Sequence, residues 1–348
     1  VRERAREDGA DAYNLEESGA MRRPLIATVL TAGIVLTSVA CSSPSDPTTA
    51  KDPLRDEQWS LDAIRIPEVW SQGYTGEDIV IAVVDTGVDT THPDLRHHSV
   101  DGYDFVDDDD DPKDENGHGT HVAGIAAAAA NDKGIIGAAP NAKIMPLRVL
   151  DASGAGGNED IAAAIDWAVE NDADVINLSL DETGLLGRIE KGGVINDSIS
   201  AAFEAGVLVV AASGNSAEVG QQYQLDTEVL VVNASNELEL PAIYTNSGDF
   251  RAVSAPGSRI VSSVPTYPTT IFAEGSDGYE TLSGTSMASP LVAGSVALLL
   301  SAGVPHDQVF GLLTDTAINH WESERLDAGI VDIAAALNEA VAQGLTDG

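Results

Sequence analysis

Between Ile79 and Ala302 the chain alternates short apolar runs with longer stretches in which apolar residues recur every three to four positions. Ile79–Val84 is a β-branched run that ends in Asp85. Runs of this length without polar alternation belong to strands buried on both faces. Ile144–Val149, Asp174–Leu180 and Val207–Ala212 have the same character. Asp160–Asn171 instead gathers Ile161, Ala164, Ile165, Ala168 and Val169 on one helical face. His121–Ala130 and Ser198–Ala205 also read as helices, and Ser286–Ala302 reads as a long apolar one, stopped by Gly303-Val304-Pro305, with helices beyond. Strand and helix in alternation predict an α/β fold: a doubly wound, mostly parallel sheet with helices on both faces. Sheets of this kind carry their sites at the carboxyl ends of the strands. Asp85, Ser179 and Asn215 all fall at such ends.

The N-terminal sixty residues follow another logic. Residues 1–20 are charged and lack apolar periodicity, so they read as an extension ahead of a start at Met21. Met21-Arg22-Arg23, an apolar run from Pro24 to Ala40 and then Cys41 have the order of a signal peptide, with a signal anchor as the alternative. Ser38-Val39-Ala40-Cys41 resembles a lipobox, which implies lipidation of Cys41 and a tether to a membrane surface. Either way the protein is expected outside the cytoplasm or on the cell surface. The paired arginines are compatible with twin-arginine export as well as with the general route. Residues 42–57, rich in Ser, Pro, Thr and Asp, read as a linker, leaving 58–342 as the folded domain.

Charge changes the picture further. The 348 residues include 56 acidic and 18 basic side chains, for a net charge of −38. Nucleic acid is excluded as a partner, because phosphate binding needs a basic face. The acids are spread along the whole chain, a pattern that predicts a halophilic protein whose self-repulsion is screened at high salt. The lone Cys41 rules out an intrachain disulfide. A monomer is expected.

Three short motifs carry the chemistry. Val83-Val84-Asp85-Thr86-Gly87 ends the first strand, Asn116-Gly117-His118-Gly119-Thr120-His121-Val122-Ala123-Gly124 opens a helix, and Gly284-Thr285-Ser286-Met287-Ala288-Ser289-Pro290 opens the long apolar helix. A serine hydroxyl needs a base within hydrogen-bond reach to become a nucleophile, and that base needs a partner to fix its tautomer. In this order and spacing the motifs resemble those of the subtilisin-like serine proteases, a likeness covering about residues 55–340. The resemblance implies a serine endopeptidase with Asp85, His118 and Ser286 as catalytic triad, acting on polypeptide substrates. Spacing within the histidine motif selects His118 over His121. Asn215, in Ala212-Ser213-Gly214-Asn215, matches the family's oxyanion-hole asparagine. By the same likeness Gly154 and Gly156 belong to one edge that pairs with extended substrate. Ser179, Leu180 and Asp181 belong to the other edge and the S1 pocket, and Ser213 and Gly214 complete the substrate contacts. Most relatives have glycine where this chain has Asp181, so a narrowed S1 or a bias against acidic side chains is expected there.

Structural calcium is implied at two places. Asp104, Asp107 and Asp109, with the carbonyls of Asp111 and Lys113, resemble a calcium loop of thermitase-like relatives. Asp94 and Asn131, with the carbonyls of Lys133 and Ile135, resemble the family's tighter site. The chain departs from the family in three ways. Little room lies between Cys41 and Gln58 for a pro-domain, so folding without an intramolecular chaperone is expected. Residues 221–245 are hard to match, and Leu291 replaces a frequent histidine. The alternatives to a broad endopeptidase are a processing protease with one protein substrate and a non-catalytic surface binding protein on the same fold.

Overall fold

A computed structural model describes residues 46–180, 193–221, 228–248, 250–274 and 276–346. The strands are β1 Val80–Asp85, β2 Tyr103–Asp104, β3 Lys143–Arg148, β4 Val175–Leu178, β5 Leu208–Ala212, β6 Val219–Gln221, β7 Val229–Ser235, β8 Ser247–Gly248, β9 Ala252–Pro256, β10 Ile260–Ser263 and β11 Tyr279–Leu282. Seven of them form one sheet in the order β2-β3-β1-β4-β5-β7-β9. Every pairing in it is parallel. The chain enters the sheet at β1, in its interior. It then winds to one side through β2 and β3 and to the other through β4, β5, β7 and β9. Winding reverses at β1, and a crevice opens at the carboxyl ends of the strands beside that reversal.

Side chains one apart along a strand serve opposite faces. Ile81 and Val83 join Val175, Leu208, Val210 and Leu230 in one core, with residues of the helices His118–Ala127 and Thr285–Ser301. Ala82 and Val84 join Met145, Leu147, Ile176 and Val209 in a second core, with residues of the helices Asn158–Glu170 and Val194–Glu204. Both faces are therefore covered, and the doubly wound α/β expectation holds. This two-sided burial is why the strands lack polar alternation. Helix Thr285–Ser301 is buried from Thr285 to Leu299, which explains its apolar character all round. Among the described residues no helix is long and apolar enough to cross a membrane. The outer edge of β9 is closed by the C-terminal strap: Ser254 donates to the Gly329 carbonyl (2.7 Å) and accepts at its own carbonyl from Val331 N–H (3.0 Å).

Two expectations need correction. The histidine helix begins at His118, not His121, because Gly117 at φ 112° turns the chain into it and the Asp114 carboxylate binds the Thr120 N–H of its first turn. The stretch expected as linker is docked onto the domain from Lys51 onward. Lys51 N–H donates to Asp132 (2.7 Å), and Leu54 N–H donates to the Gly134 carbonyl (2.8 Å). Gln58 pairs with Ile136 through both its amide atoms (2.7 and 3.0 Å). The signal segment and the Cys41 lipobox lie outside the described residues.

Candidate active site

Asp85 is the last residue of β1 and is 0% exposed. Its Oδ1 accepts from His118 Nδ1 (2.7 Å) and from the N–H of Thr86 (2.7 Å). A carboxylate can only accept, so Nδ1 carries the hydrogen and Nε2 of the neutral ring is the basic atom. His118 opens its helix, where Gly119 lets the turn pass close under β1. A Cβ on Gly119 would sit 2.1 Å from the Gly87 carbonyl. Thr86 Oγ1 accepts from Gly119 N–H (2.9 Å) and donates to Asp114 (2.8 Å). The buried Asp114 also accepts from the N–H groups of Asn116, Gly117 and Thr120 and from Thr120 Oγ1. Burial pushes the Asp114 carboxyl up, and these donors oppose that by favouring its charged form. Asp114 thus fixes the loop that delivers His118. Sequence reasoning missed it. The signal was an Asp followed by Asn-Gly just before a helix, the residue type that binds unpaired N–H groups there.

His121 is fully buried. Burial, followed by the charge of His118, holds it down to about 3. It does not line the cleft.

Ser286 lies in the first turn of its helix, where main-chain N–H groups lack intrahelical partners. It is 3% exposed and lines, with His118 and Asn215, a cleft of about 550 Å³. Pro290 has no N–H, so the Ser286 carbonyl loses its usual partner four residues on. Ser179 Oγ donates to that carbonyl instead (3.1 Å). Asn177 Nδ2 donates to Ser179 Oγ (2.9 Å), and Ser289 Oγ donates to Asn177 Oδ1 (2.7 Å). This buried relay ties the end of β4 to the start of the serine helix. Asn215 follows β5, and its Oδ1 accepts from Thr285 N–H (2.8 Å) and Thr285 Oγ1 (3.2 Å). That fixes the amide with its donor end, Nδ2, turned away from Thr285.

The cleft is also lined by Gly154, Gly156, Ser179 and Leu180, together with Leu150, Ser153 and Ala155. Gly156 admits no side chain, since a Cβ would come 2.2 Å from the Val149 carbonyl. Ser213 and Gly214 are a different matter. Both are buried and absent from the lining; Gly214 N–H bonds Thr285 Oγ1 (3.1 Å), and the Ser213 carbonyl accepts from Asn246 (3.0 Å). They support Asn215 from behind. Asp181 and residues 222–227 lie outside the described residues.

The two expected calcium places differ. At the acidic loop Arg148, at the end of β3, puts Nη1 on Asp104 (2.6 Å) and Asp107 (2.7 Å) and Nη2 on Glu115 (2.9 Å). The other oxygen of Asp104 accepts from the N–H groups of Val106 and Asp107. Asp109 caps Asp111 N–H (2.9 Å), and the Asp111 carbonyl accepts from Lys113 N–H (2.7 Å). A cation between Asp104 and Asp107 would have to displace a buried guanidinium. Asp104, Asp107, Asp109, Asp111 and Lys113 therefore do not fit calcium as they are arranged.

Asp94 and Asn131 do fit. Asp94 accepts from Tyr279 OH (2.9 Å), Ile135 N–H (3.3 Å) and Asn131 Nδ2 (3.2 Å). Beside it stands Asp52, in the stretch that the sequence alone reads as linker. Its Oδ1 accepts from the N–H groups of Asn131 and Lys133, while its Oδ2 is buried without a partner. Asn131 Oδ1 is likewise buried without a partner. Burial pushes the carboxyls of Asp52 and Asp94 up, and the charge of Asp94 adds to the effect on Asp52. Two orphaned oxygens next to crowded carboxylates suit a hard cation, with the carbonyls of Lys133 and Ile135 as further donors. Among the described residues no group of three or more His, Cys, Asp or Glu converges on one point. A donor set of carboxylate, amide and carbonyl oxygens, without sulfur or imidazole, would suit calcium and not zinc.

The Subtilase family model matches residues 76–341. Over 289 residues the chain is 37% identical to thermitase of Thermoactinomyces vulgaris, covering 80% of this chain and 98% of that protein. Over 285 residues it is 36% identical to subtilisin DY of Bacillus licheniformis, covering 80% and 97%. Among solved structures, a protease from Pseudoalteromonas arctica PAMC 21717 matches with a TM-score of 0.75 at 31% identity, covering 84% of this chain and 99% of that one.

Proposed function

Because the chain belongs to the Subtilase family and is a serine-type endopeptidase, we propose that it cuts peptide bonds through an acyl-enzyme formed on Ser286. The observation that carries this reading is the 2.7 Å bond from His118 Nδ1 to buried Asp85, in a cleft that His118 shares with Ser286 and Asn215. Ser286 Oγ attacks the peptide carbonyl carbon and its proton passes to His118 Nε2. The carbonyl oxygen becomes an oxyanion, stabilised by Asn215 Nδ2 and the N–H of Ser286. The C–N bond then breaks as His118 returns the proton to the leaving amine. Water repeats the sequence on the ester, and the acid product leaves. Asp85 holds the imidazole and stabilises its cationic form throughout. A serine-directed sulfonyl fluoride is expected to abolish peptide hydrolysis and to add its mass to the Ser286 peptide alone; a modified protein of full activity would refute the mechanism.

Calcium would act as a brace between the segment around Asp52 and the Asn131–Ile135 loop; Asp52, Asp94, Asn131 and the carbonyls of Lys133 and Ile135 are the groups that would hold it. A ligand that binds only the folded state at a hundred times its Kd stabilises by about 2.7 kcal/mol. Chelation is therefore expected to lower the unfolding temperature by several degrees. Asp52→Asn should lose most of that response and Asp104→Asn should keep it. Thermal unfolding with and without calcium reads this out, and identical transitions for the unmodified protein would remove calcium as a brace.

The proposed setting is outside the cytoplasm and at high salt. The Met21–Cys41 pattern supports the first and the net charge of −38 supports the second.

A further inference from the structure

Asn215 sits in a turn whose main chain, on both sides of it, is bonded to one buried residue far along the sequence. That residue is Asn246, which is 3% exposed. Its Nδ2 donates to the Ser213 carbonyl (3.0 Å), and its N–H donates to the Gly214 carbonyl (2.9 Å). Its Oδ1 accepts from the N–H groups of Ser216 and Glu218, both at 3.0 Å. The side chain thus spans the turn and holds it before and after Asn215. The residues beside Asn246 add to this. Ala217 N–H donates to the Tyr244 carbonyl (2.8 Å), and Ser247 N–H donates to the Glu218 carbonyl (2.9 Å). The turn needs such support. Ala217 at φ 57° occupies the left-handed region, which a residue with a Cβ seldom adopts. The segment around Asn246 is held in turn by Arg325 of the C-terminal strap, whose Nη2 donates to the carbonyls of Ala242 (3.2 Å) and Thr245 (2.8 Å).

We propose that Asn246 is a positioning residue for the oxyanion donor: it holds the turn that aims Asn215 Nδ2 at the reacting carbonyl, with Arg325 as its outer support. The inference rests on the catalytic reading of Ser286 and Asn215. A donor of this kind contributes because it does not have to reorient as charge develops on the oxygen. Thr285 fixes the acceptor end of the Asn215 amide. The main chain that carries Asn215 is fixed from the other side, by the bonds to Asn246. Asn246 itself does not line the cleft, so it acts through Asn215 and not on the substrate. Without its side chain the Ser213 carbonyl and the N–H groups of Ser216 and Glu218 would lose these partners, and the turn would shift to find others.

A double-mutant cycle on the full chain tests this. Asn215→Ala should lower kcat by about 10²–10³, the scale known for this donor in the relative subtilisin. Asn246→Ala should lower kcat by about ten- to a hundredfold, the range set by a misplacement of up to about 1 Å, and leave KM within about twofold. Added to Asn215→Ala, the same substitution should cost less than about twofold, since a donor that is gone cannot be misaimed. A peptide boronic acid gives a second reading. Its adduct with Ser286 is tetrahedral and negatively charged, so its affinity should fall in Asn246→Ala in proportion to kcat, while a product peptide binds as before. Arg325→Ala should show the same pattern with a smaller loss, and it carries the test if circular dichroism finds Asn246→Ala unfolded. Equal losses with and without Asn215, a loss confined to KM, or unchanged kcat in the folded variants overturns the positioning role. An Asn215→Ala protein with unchanged kcat overturns the oxyanion reading, and the inference with it.

Discussion

Replacing Ser286 by alanine is expected to lower kcat by about a million-fold, the magnitude measured when the relative subtilisin loses its catalytic serine. The reason is local. The hydroxyl is the only atom proposed to form the acyl bond, while the groups that hold the residue are main-chain ones. Ser179 Oγ bonds the Ser286 carbonyl, and the surrounding helix is buried in the core. Ser286→Ala keeps those contacts, so the fold and KM should change little and the loss should fall on kcat. Adding His118→Ala to Ser286→Ala should cost little more, because a base without its nucleophile has nothing to activate. Residual hydrolysis above the rate in water would come from Asn215 and from substrate positioning. Steady-state kinetics on a fluorogenic peptide, with circular dichroism to check folding, read this out. A folded Ser286→Ala protein with kcat within tenfold of the original would end the proposal.

The parts of this site that are legible in the sequence are those set by local patterns. A strand buried on both faces must be apolar along its length, so β1, β3, β4 and β5 announce themselves, and so do the residues that follow their ends. Asp85, Ser179 and Asn215 can be placed before any motif is matched. What stays hidden depends on contacts between distant segments. Asp52 sits in a stretch whose Ser, Pro and Asp content reads as linker, yet it is buried by Asn131 and Lys133, some eighty positions away. Arg148 ends an apolar strand, and nothing local says that its guanidinium turns onto Asp104 and Asp107. The acid run therefore reads as a metal loop, although the positive charge it needs is already covalently present. Ser213 and Gly214 belong to the same motif match, yet both are buried, and of the three residues after β5 Asn215 alone lines the cleft. Asn246 escapes notice because its place depends on bonds to residues 213, 216 and 218.

Asp85→Asn isolates what the carboxylate adds beyond placing His118. Both short contacts converge on one oxygen: Oδ1 accepts from His118 Nδ1 and from Thr86 N–H, while Oδ2 is buried without a partner. An asparagine can leave its carbonyl oxygen where Oδ1 stands and put its amide nitrogen where Oδ2 stands. The imidazole is then still held with the hydrogen on Nδ1. What disappears is the negative charge that stabilises the imidazolium formed during acyl transfer, in a place with 0% exposure where water cannot compensate. The flipped amide is worse still, since its N–H₂ would face Nδ1 and the N–H of Thr86 and would force the hydrogen onto Nε2. Either orientation is expected to lower kcat, by about ten-thousand-fold if the tautomer is lost, the figure known from trypsin. The loss should be smaller if the tautomer is kept. The two cases separate by acylation with a reagent that needs the free Nε2 lone pair. Slowed but measurable labelling of Ser286 indicates loss of charge alone, since acylation also passes through the imidazolium, and abolished labelling indicates the wrong tautomer. Peptide turnover within tenfold of the original would show that the 2.7 Å contact between Asp85 and His118 only braces the fold.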